Sequence, residues 1–156
     1  MTDLSAIYST ELLQLAAAIP RTTRLEQSDA SATAHSKLCG STLTVDLVMQ
    51  GNRIVDFGQS VKACLLGQAA ASIVGREIIG TTADEIRNVG ETMRAMLKEN
   101  GPAPTGKWAD LALLEPVRDY KARHASTLLV FEAIGRALDE IEAREQSSGS
   151  GTVRLM

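Results

Sequence analysis

The chain has 156 residues and a mass of 16.6 kDa, enough for one domain with a proper core and too few for two ordinary ones. Lys and Arg number 16 against 19 Asp and Glu, a formal net charge of -3, so the broad basic field that nucleic-acid backbones select is missing. Aromatic residues make up 3%, which removes base-stacking platforms and aromatic cages from consideration.

Apolar runs are broken by Gly, Gln or charged residues before the roughly 20 residues that span a bilayer. Asp3 and Glu11 stand where a signal peptide would be basic, so a soluble, cytoplasmic protein is expected. The two cysteines, Cys39 and Cys64, are expected as reduced thiols, because an Ala-, Leu- and Ile-rich core of this size has little need of a disulfide.

In chain order, Leu4, Ile7, Leu12, Leu15 and Ile19 recur at helical spacing, with Thr2 or Asp3 to cap the start and Pro20 to end it. Arg21 to Ser36 reads as a loop that becomes a strand near Ala32 to Lys37. Leu43, Val45, Leu47 and Met49 then alternate with Thr44, Asp46, Val48 and Gln50; Gly51-Asn52 supplies a turn, and Arg53 to Val61 is the return strand of an antiparallel hairpin. After Cys64 the period becomes helical up to Gly80, and Thr82 followed by Glu85 marks a newly capped helix that runs to about Asn100. Gly101 to Gly106 is a loop with two prolines, and Trp108 to Leu114 is a short helix halted near Pro116, with Trp108 as its packing anchor. A last helix spans about Ala125 to Glu145, giving one domain over 1–146, and the Ser/Gly-rich stretch that opens 147–156 has the composition of a flexible tail. Strands first and helices after predict an α+β fold, about three antiparallel strands packed against several helices.

Cys39 sits in Leu38-Cys39-Gly40-Ser41 before the first strong strand, where Gly40 permits a tight turn. Cys64 sits at a strand-to-helix junction; unpaired N–H groups, the helix dipole and nearby Lys62 all favour a thiolate that ligates metal or attacks sulfur. Spacing alone does not find a metal site, since free cysteines are among the most buried residues. No phosphate loop, Ser-His-Asp order or paired carboxylate stands out, and Asp84-Glu85, Asp139-Glu140 and Glu142 read as helix-surface acids.

The segment from Cys39 to Gly80 resembles the core of the iron–sulfur scaffold family that includes IscU, SufU and the NifU N-terminal domain. There a Cys-Gly-Asp turn opens a hairpin and a second Cys begins a long helix; here Cys39-Gly40-Ser41 precedes the strand, and Val61-Lys62-Ala63-Cys64-Leu65-Leu66-Gly67-Gln68-Ala69-Ala70-Ala71-Ser72 is similar to the second motif. Leu114-Glu115-Pro116-Val117-Arg118-Asp119-Tyr120-Lys121-Ala122-Arg123-His124-Ala125-Ser126-Thr127-Leu128 resembles the SufU stretch that leads through an Ala-Arg pair to the third cysteine and the last helix. The resemblance covers roughly Leu4 to Glu145 and is closest to the SufU type.

The resemblance implies a scaffold or carrier rather than an enzyme, with a transient Fe–S cluster of the [2Fe–2S] kind, or zinc, on cysteine thiolates. It implies a cysteine desulfurase and acceptor apo-proteins as partners, and a homodimer sharing a cluster is open. The family ligands are three cysteines and the Asp of the first motif, sometimes with a His beside the third cysteine. Cys39 and Cys64 match two of these, Ser41 replaces the Asp, and the third thiol falls on Ser126 without gaps or on Ala125 if His124 is matched to the family's His. The implied ligands are therefore Cys39, Cys64 and His124, with His35 a weaker candidate, while Arg118 and Arg123 are the implied contacts to a persulfide or an acidic partner surface. Two other readings fit a two-cysteine chain: a sulfur relay of the SufE kind, which needs one reactive thiol, and an adaptor of a desulfurase that binds neither metal nor sulfur.

Overall fold

The computed structural model describes residues 9–37 and 40–155, with side chains through Glu145. Chain order is α1 (Thr10–Ala17), β1 (Ala30–His35), β2 (Thr42–Gln50), β3 (Arg53–Lys62), α2 (Leu65–Glu77), α3 (Ala83–Lys98), two 3-10 segments (Gly106–Asp119 and Lys121–Arg123), α4 (His124–Thr127) and α5 (Leu129–Leu155). The α+β expectation holds: the strands form one antiparallel sheet in the order β1-β2-β3, and most of the helical chain follows it.

The hairpin has the register its alternation demands. Leu43, Val45 and Leu47 pair with Val61, Gln59 and Phe57, and cross-strand partners share a face, so these residues make the core face of the sheet. Gly51 takes the left-handed conformation (φ 64) in the two-residue turn, and a bulge between Val48 and Met49 resets the pairing near that end. Helix α5 packs across β1 and β2, and α2 lies in the centre, buried from Leu66 to Gly75 except for Gln68. A helix that is apolar or small almost all round is a core helix, which the Ala, Ser and Gly content of α2 permits.

The opposite face of the sheet is covered by the strap that joins α1 to β1. The strap passes β3 at its edge, where Gln59 N–H donates to Arg21 O at 2.9 Å, and crosses the face at Gly58, where a Cβ would lie 2.5 Å from Thr23 O. Asp46 pins it there. This fully buried carboxylate accepts from Arg24 Nε at 2.7 Å and Nη2 at 2.9 Å, from Leu25 N–H at 2.9 Å and from Ser31 Oγ at 2.5 Å. Burial opposes ionisation of Asp46, but these hydrogen bonds and the Arg24 charge outweigh it and hold the carboxyl below its ordinary range. The sheet edges are closed as well. Arg136 and Arg144 on α5 donate to the carbonyls of Thr33 and Asp29 beside β1, while Ile54 on β3 exchanges backbone bonds with Gly80 and Thr81.

Three expectations differ from the structure. The first helix starts at Thr10 with Ser9 as its N-cap, so the Thr2 or Asp3 cap is not the one used, and residues 1–8 lie outside the described residues. The short helix at Trp108 is not halted by Pro116; the chain coils there as 3-10 turns through Asp119, whose φ values suit proline. The last helix is broken at Leu128, leaving α4 as a separate turn ahead of α5. Backbone helix continues to Leu155.

Replacing Asp46 with Asn should lower stability by about 2 kcal/mol, since the amide turns donors toward Leu25 N–H and Arg24. The folded carboxyl sits below its unfolded value, so its contribution is complete above the ordinary carboxylate pKa of about 4 and is lost as pH falls through the folded value. Urea midpoints measured from pH 7 to pH 3 should fall in the acid range for the native chain and fall less steeply for Asp46→Asn.

Candidate functional site

Cys64 is the N-cap of α2, held extended (φ -67, ψ 171) where β3 turns into the helix. Its side chain makes no capping bond to the helix N–H groups; Sγ lies instead 2.9 Å from Ser126 Oγ on α4. That hydroxyl is also 3.3 Å from Ser41 Oγ, just ahead of β2. Ser41 and Ser126 are buried, and Cys64 is half-buried. Three separate stretches of the chain thus converge on one thiol and two hydroxyls. Of the two positions offered for the third family ligand, Ser126 meets Cys64, whereas Ala125 is exposed.

The convergence depends on a residue that motif reading passed over. Gly67, in the first turn of α2, faces α4 so closely that a Cβ would lie 3.0 Å from both the carbonyl and the hydroxyl oxygen of Ser126, and 2.9 Å from Ala63 Cβ. A glycine inside a helical pattern was the available signal, because it lowers helix stability and so asks for a packing reason. Beside the cluster, Gly40 is left-handed (φ 69), its N–H bonds Ser36 O at 2.9 Å, and Ser36 N–H bonds Ser41 O at 2.8 Å. The tight turn expected at Gly40 is present, while Cys39 itself lies outside the described residues.

His124 is buried, and its Nε2 donates to the carbonyls of Val117 and Arg118 at 3.0 and 3.1 Å. The ring ties α4 to the preceding 3-10 segment. Residues two apart on a helix are about 200° apart around it, so His124 and Ser126 leave α4 on different sides. His35 is exposed, with Nδ1 3.1 Å from Thr42 Oγ1. Arg118 makes a 3.6 Å ion pair with Glu115, and Arg123 is half-buried with no ion pair among the described residues. The acids read as helix-surface groups are structural: Arg87 on α3 binds Asp139 and Glu142 on α5, and Glu85 accepts from Trp108 Nε1 at 2.9 Å.

Among the described residues no three His, Cys, Asp or Glu side chains come together as a metal site. Zinc takes four N, S or O ligands and Fe–S clusters take thiolates, whereas neutral hydroxyls bonded to each other and to a thiol are poor donors for either. Cys64, Ser41 and Ser126 therefore do not by themselves fit a four-ligand metal.

Gly67→Ala tests the close approach. Better helix propensity favours Ala by about 1 kcal/mol at most, and overpacking costs about 1–3 kcal/mol, so the variant should melt at lower temperature than the native chain. Thermal unfolding followed by circular dichroism reads the sign directly.

No family sequence model matches the chain. A crystal structure of a nitrogen-fixing NifU-like protein (N-terminal) from Brucella abortus superposes with a TM-score of 0.88 at 52% identity, covering 90% of this chain and 97% of that one. A crystal structure from Fervidobacterium islandicum AW-1, of a protein assigned to the SUF system as an iron–sulfur cluster assembly scaffold, shares the fold with a TM-score of 0.79 at 20% identity over 87% of this chain and 99% of that one. In sequence, the iron–sulfur cluster assembly scaffold protein IscU of Thermotoga maritima is 26% identical over 103 residues, 66% of this chain and 72% of that protein. With half of its residues shared across nearly the whole of the Brucella domain, and with hairpin, Cys64 junction and α4 in the expected order, the chain belongs to the NifU-like family of iron–sulfur cluster assembly scaffold proteins, the group of IscU, SufU and the NifU N-terminal domain.

Proposed function

We propose that the chain is a scaffold or carrier in iron–sulfur cluster assembly that binds iron, zinc or a labile [2Fe–2S] cluster through Cys39 and Cys64. The observation that carries this reading is the meeting of Cys64, Ser126 and Ser41, which brings together the positions the family uses for ligands. Cys39 stands two residues before Ser41, and chain length alone keeps the two Cα atoms within about 7 Å. Two thiols are half of what a [2Fe–2S] cluster takes. The remaining ligands would come from a second copy, a partner or an exogenous thiol, and His124 enters only through Nδ1, the nitrogen its loop contacts leave over. A cysteine desulfurase as sulfur donor and apo-proteins as acceptors are the partners this role requires, with Arg118 and Arg123 as contacts for an acidic partner surface.

Anaerobic purification followed by iron, zinc and acid-labile sulfide analysis and absorption spectra tests the reading. Iron and sulfide should be present at one cluster per two chains, on a dimer, and be lost in both Cys39→Ser and Cys64→Ser. Absence of metal in every sample would overturn it.

A second reading, sulfur relay, is favoured by the single half-buried thiol that the described residues place at this cluster, beside the Ser126 hydroxyl. In that reaction the Cys64 thiolate attacks the outer sulfur of a donor persulfide, the donor S–S bond breaks, and the donor cysteine leaves as thiolate with charge conserved. Transfer of labelled sulfane sulfur that survives in Cys39→Ser and vanishes in Cys64→Ser would select it.

The serines give a further check. Ser41→Asp with Ser126→Cys completes the family donor set, so this double variant should copurify with about one zinc per chain, removable by chelator, where the native chain holds less. Equal zinc in the two proteins would show that the convergence does not have ligand geometry.

A further inference from the structure

A cleft of about 440 Å³ opens where the end of α3 meets the 3-10 segments, on the His124 side of α4. Lys98, Arg118 and Lys121 line it, with Asn100, Asp119 and the buried His124. Three cations face one carboxylate there, although acids outnumber bases over the whole chain. Lys98 and Lys121 have no ion pair among the described residues, and the Arg118 guanidinium is underused. It reaches Glu115 at 3.6 Å and Gly101 O at a long 3.4 Å, its Nη1 has no partner among the described residues, and its Nε is buried with none. A guanidinium that is largely withdrawn from water keeps a strong preference for a charge-bearing acceptor.

The bland role for one of these cations is clear: Lys98 lies in the last turn of α3 and complements its dipole. Arg118 and Lys121 also stand near ends of the two 3-10 segments, but that role leaves the buried Nε of Arg118 without a partner. His124 makes the cleft a built feature, because its Nε2 bonds to Val117 O and Arg118 O fix the backbone that carries Arg118 against α4.

We propose that this cleft is an oxyanion-binding site that takes phosphate or carboxylate groups on Arg118, Lys121 and Lys98. Concave surroundings and a single sign of charge concentrate such ligands, and the guanidinium supplies paired donors of fixed geometry. The site uses neither cysteine; with a partner's carboxylates as ligand it rests on the partner contact proposed above for Arg118, and with phosphate it stands apart from that reading.

The test is a titration of the ¹⁵N-labelled full chain followed by amide shifts, with ionic strength held constant by sodium chloride. One arm uses inorganic phosphate and the other a hexaglutamate peptide. Saturable shifts centred on Lys98, Asn100, Arg118 and Lys121 are expected in at least one arm. Saturation by phosphate marks a free-oxyanion ligand, and saturation by the peptide alone marks carboxylates of a partner. Arg118→Gln and Lys121→Gln should each weaken binding by about tenfold. Lys121 is exposed, so its variant keeps the fold and preserves the test if Arg118→Gln unfolds. Shifts that never saturate, or affinity unchanged in Lys121→Gln, would overturn the proposal.

Discussion

The contact between α2 and α4 at Gly67 is the constraint on which the site depends. With hydrogen in place of a methyl group, the backbone of α4 comes within reach of the first turn of α2, and Ser126 lands on the Cys64 sulfur. Close packing leaves no slack for the helices to separate by even a methyl radius and still keep that bond. The junction is held from the other side by the sheet, because β3 delivers Cys64 and β2 begins at Ser41's neighbour, so the hairpin register decides where both stand.

Polar groups do much of the framing around this core. Asp46 and Gln59 are both fully buried on the sheet, one on each face, and both hold the strap between α1 and β1. Gln59 Nε2 also donates to Ala71 O on α2, which links strap, sheet and central helix through one side chain. Such networks add modestly to stability when satisfied and cost more when broken, so they specify the arrangement more than they drive it. The drive comes from the apolar face of the hairpin, the buried length of α2, and the inner faces of α3 and α5.

The chemistry beside Cys64 is set by the two hydroxyls that meet it. A carboxylate and a third thiolate would be anions facing Cys64; here two neutral hydroxyls form a hydrogen-bonded chain with it. Hydroxyls stabilise a thiolate or a persulfide by donation, but they do not supply the negative charge that holds a divalent ion. The Nε2 of His124 braces the loop on the far side of α4, where the ring lines the cationic cleft.

The sequence by itself determined the local elements and their partners in the family. Period-two alternation, Gly51-Asn52, the Thr82 cap three residues before Glu85, and the change of period at Cys64 each encode structure through contacts between near neighbours, and they appear where their chemistry requires. Motif order likewise singled out Cys64, Ser41 and, with Ala125 as the alternative, Ser126, and the structure brings Cys64, Ser41 and Ser126 together. The long-range geometry was decided only by tertiary structure. Ser41 and Ser126 are 85 residues apart, and nothing within either segment encodes their meeting, the direction in which His124 leaves α4, or the need for a hydrogen at Gly67. The break at Leu128 belongs to the same class: the residues around it suit a continuous helix, yet the chain must turn there for α4 to lie on α2 and α5 on the sheet. Local propensity carries too little energy to settle such choices, and packing across the whole core settles them instead.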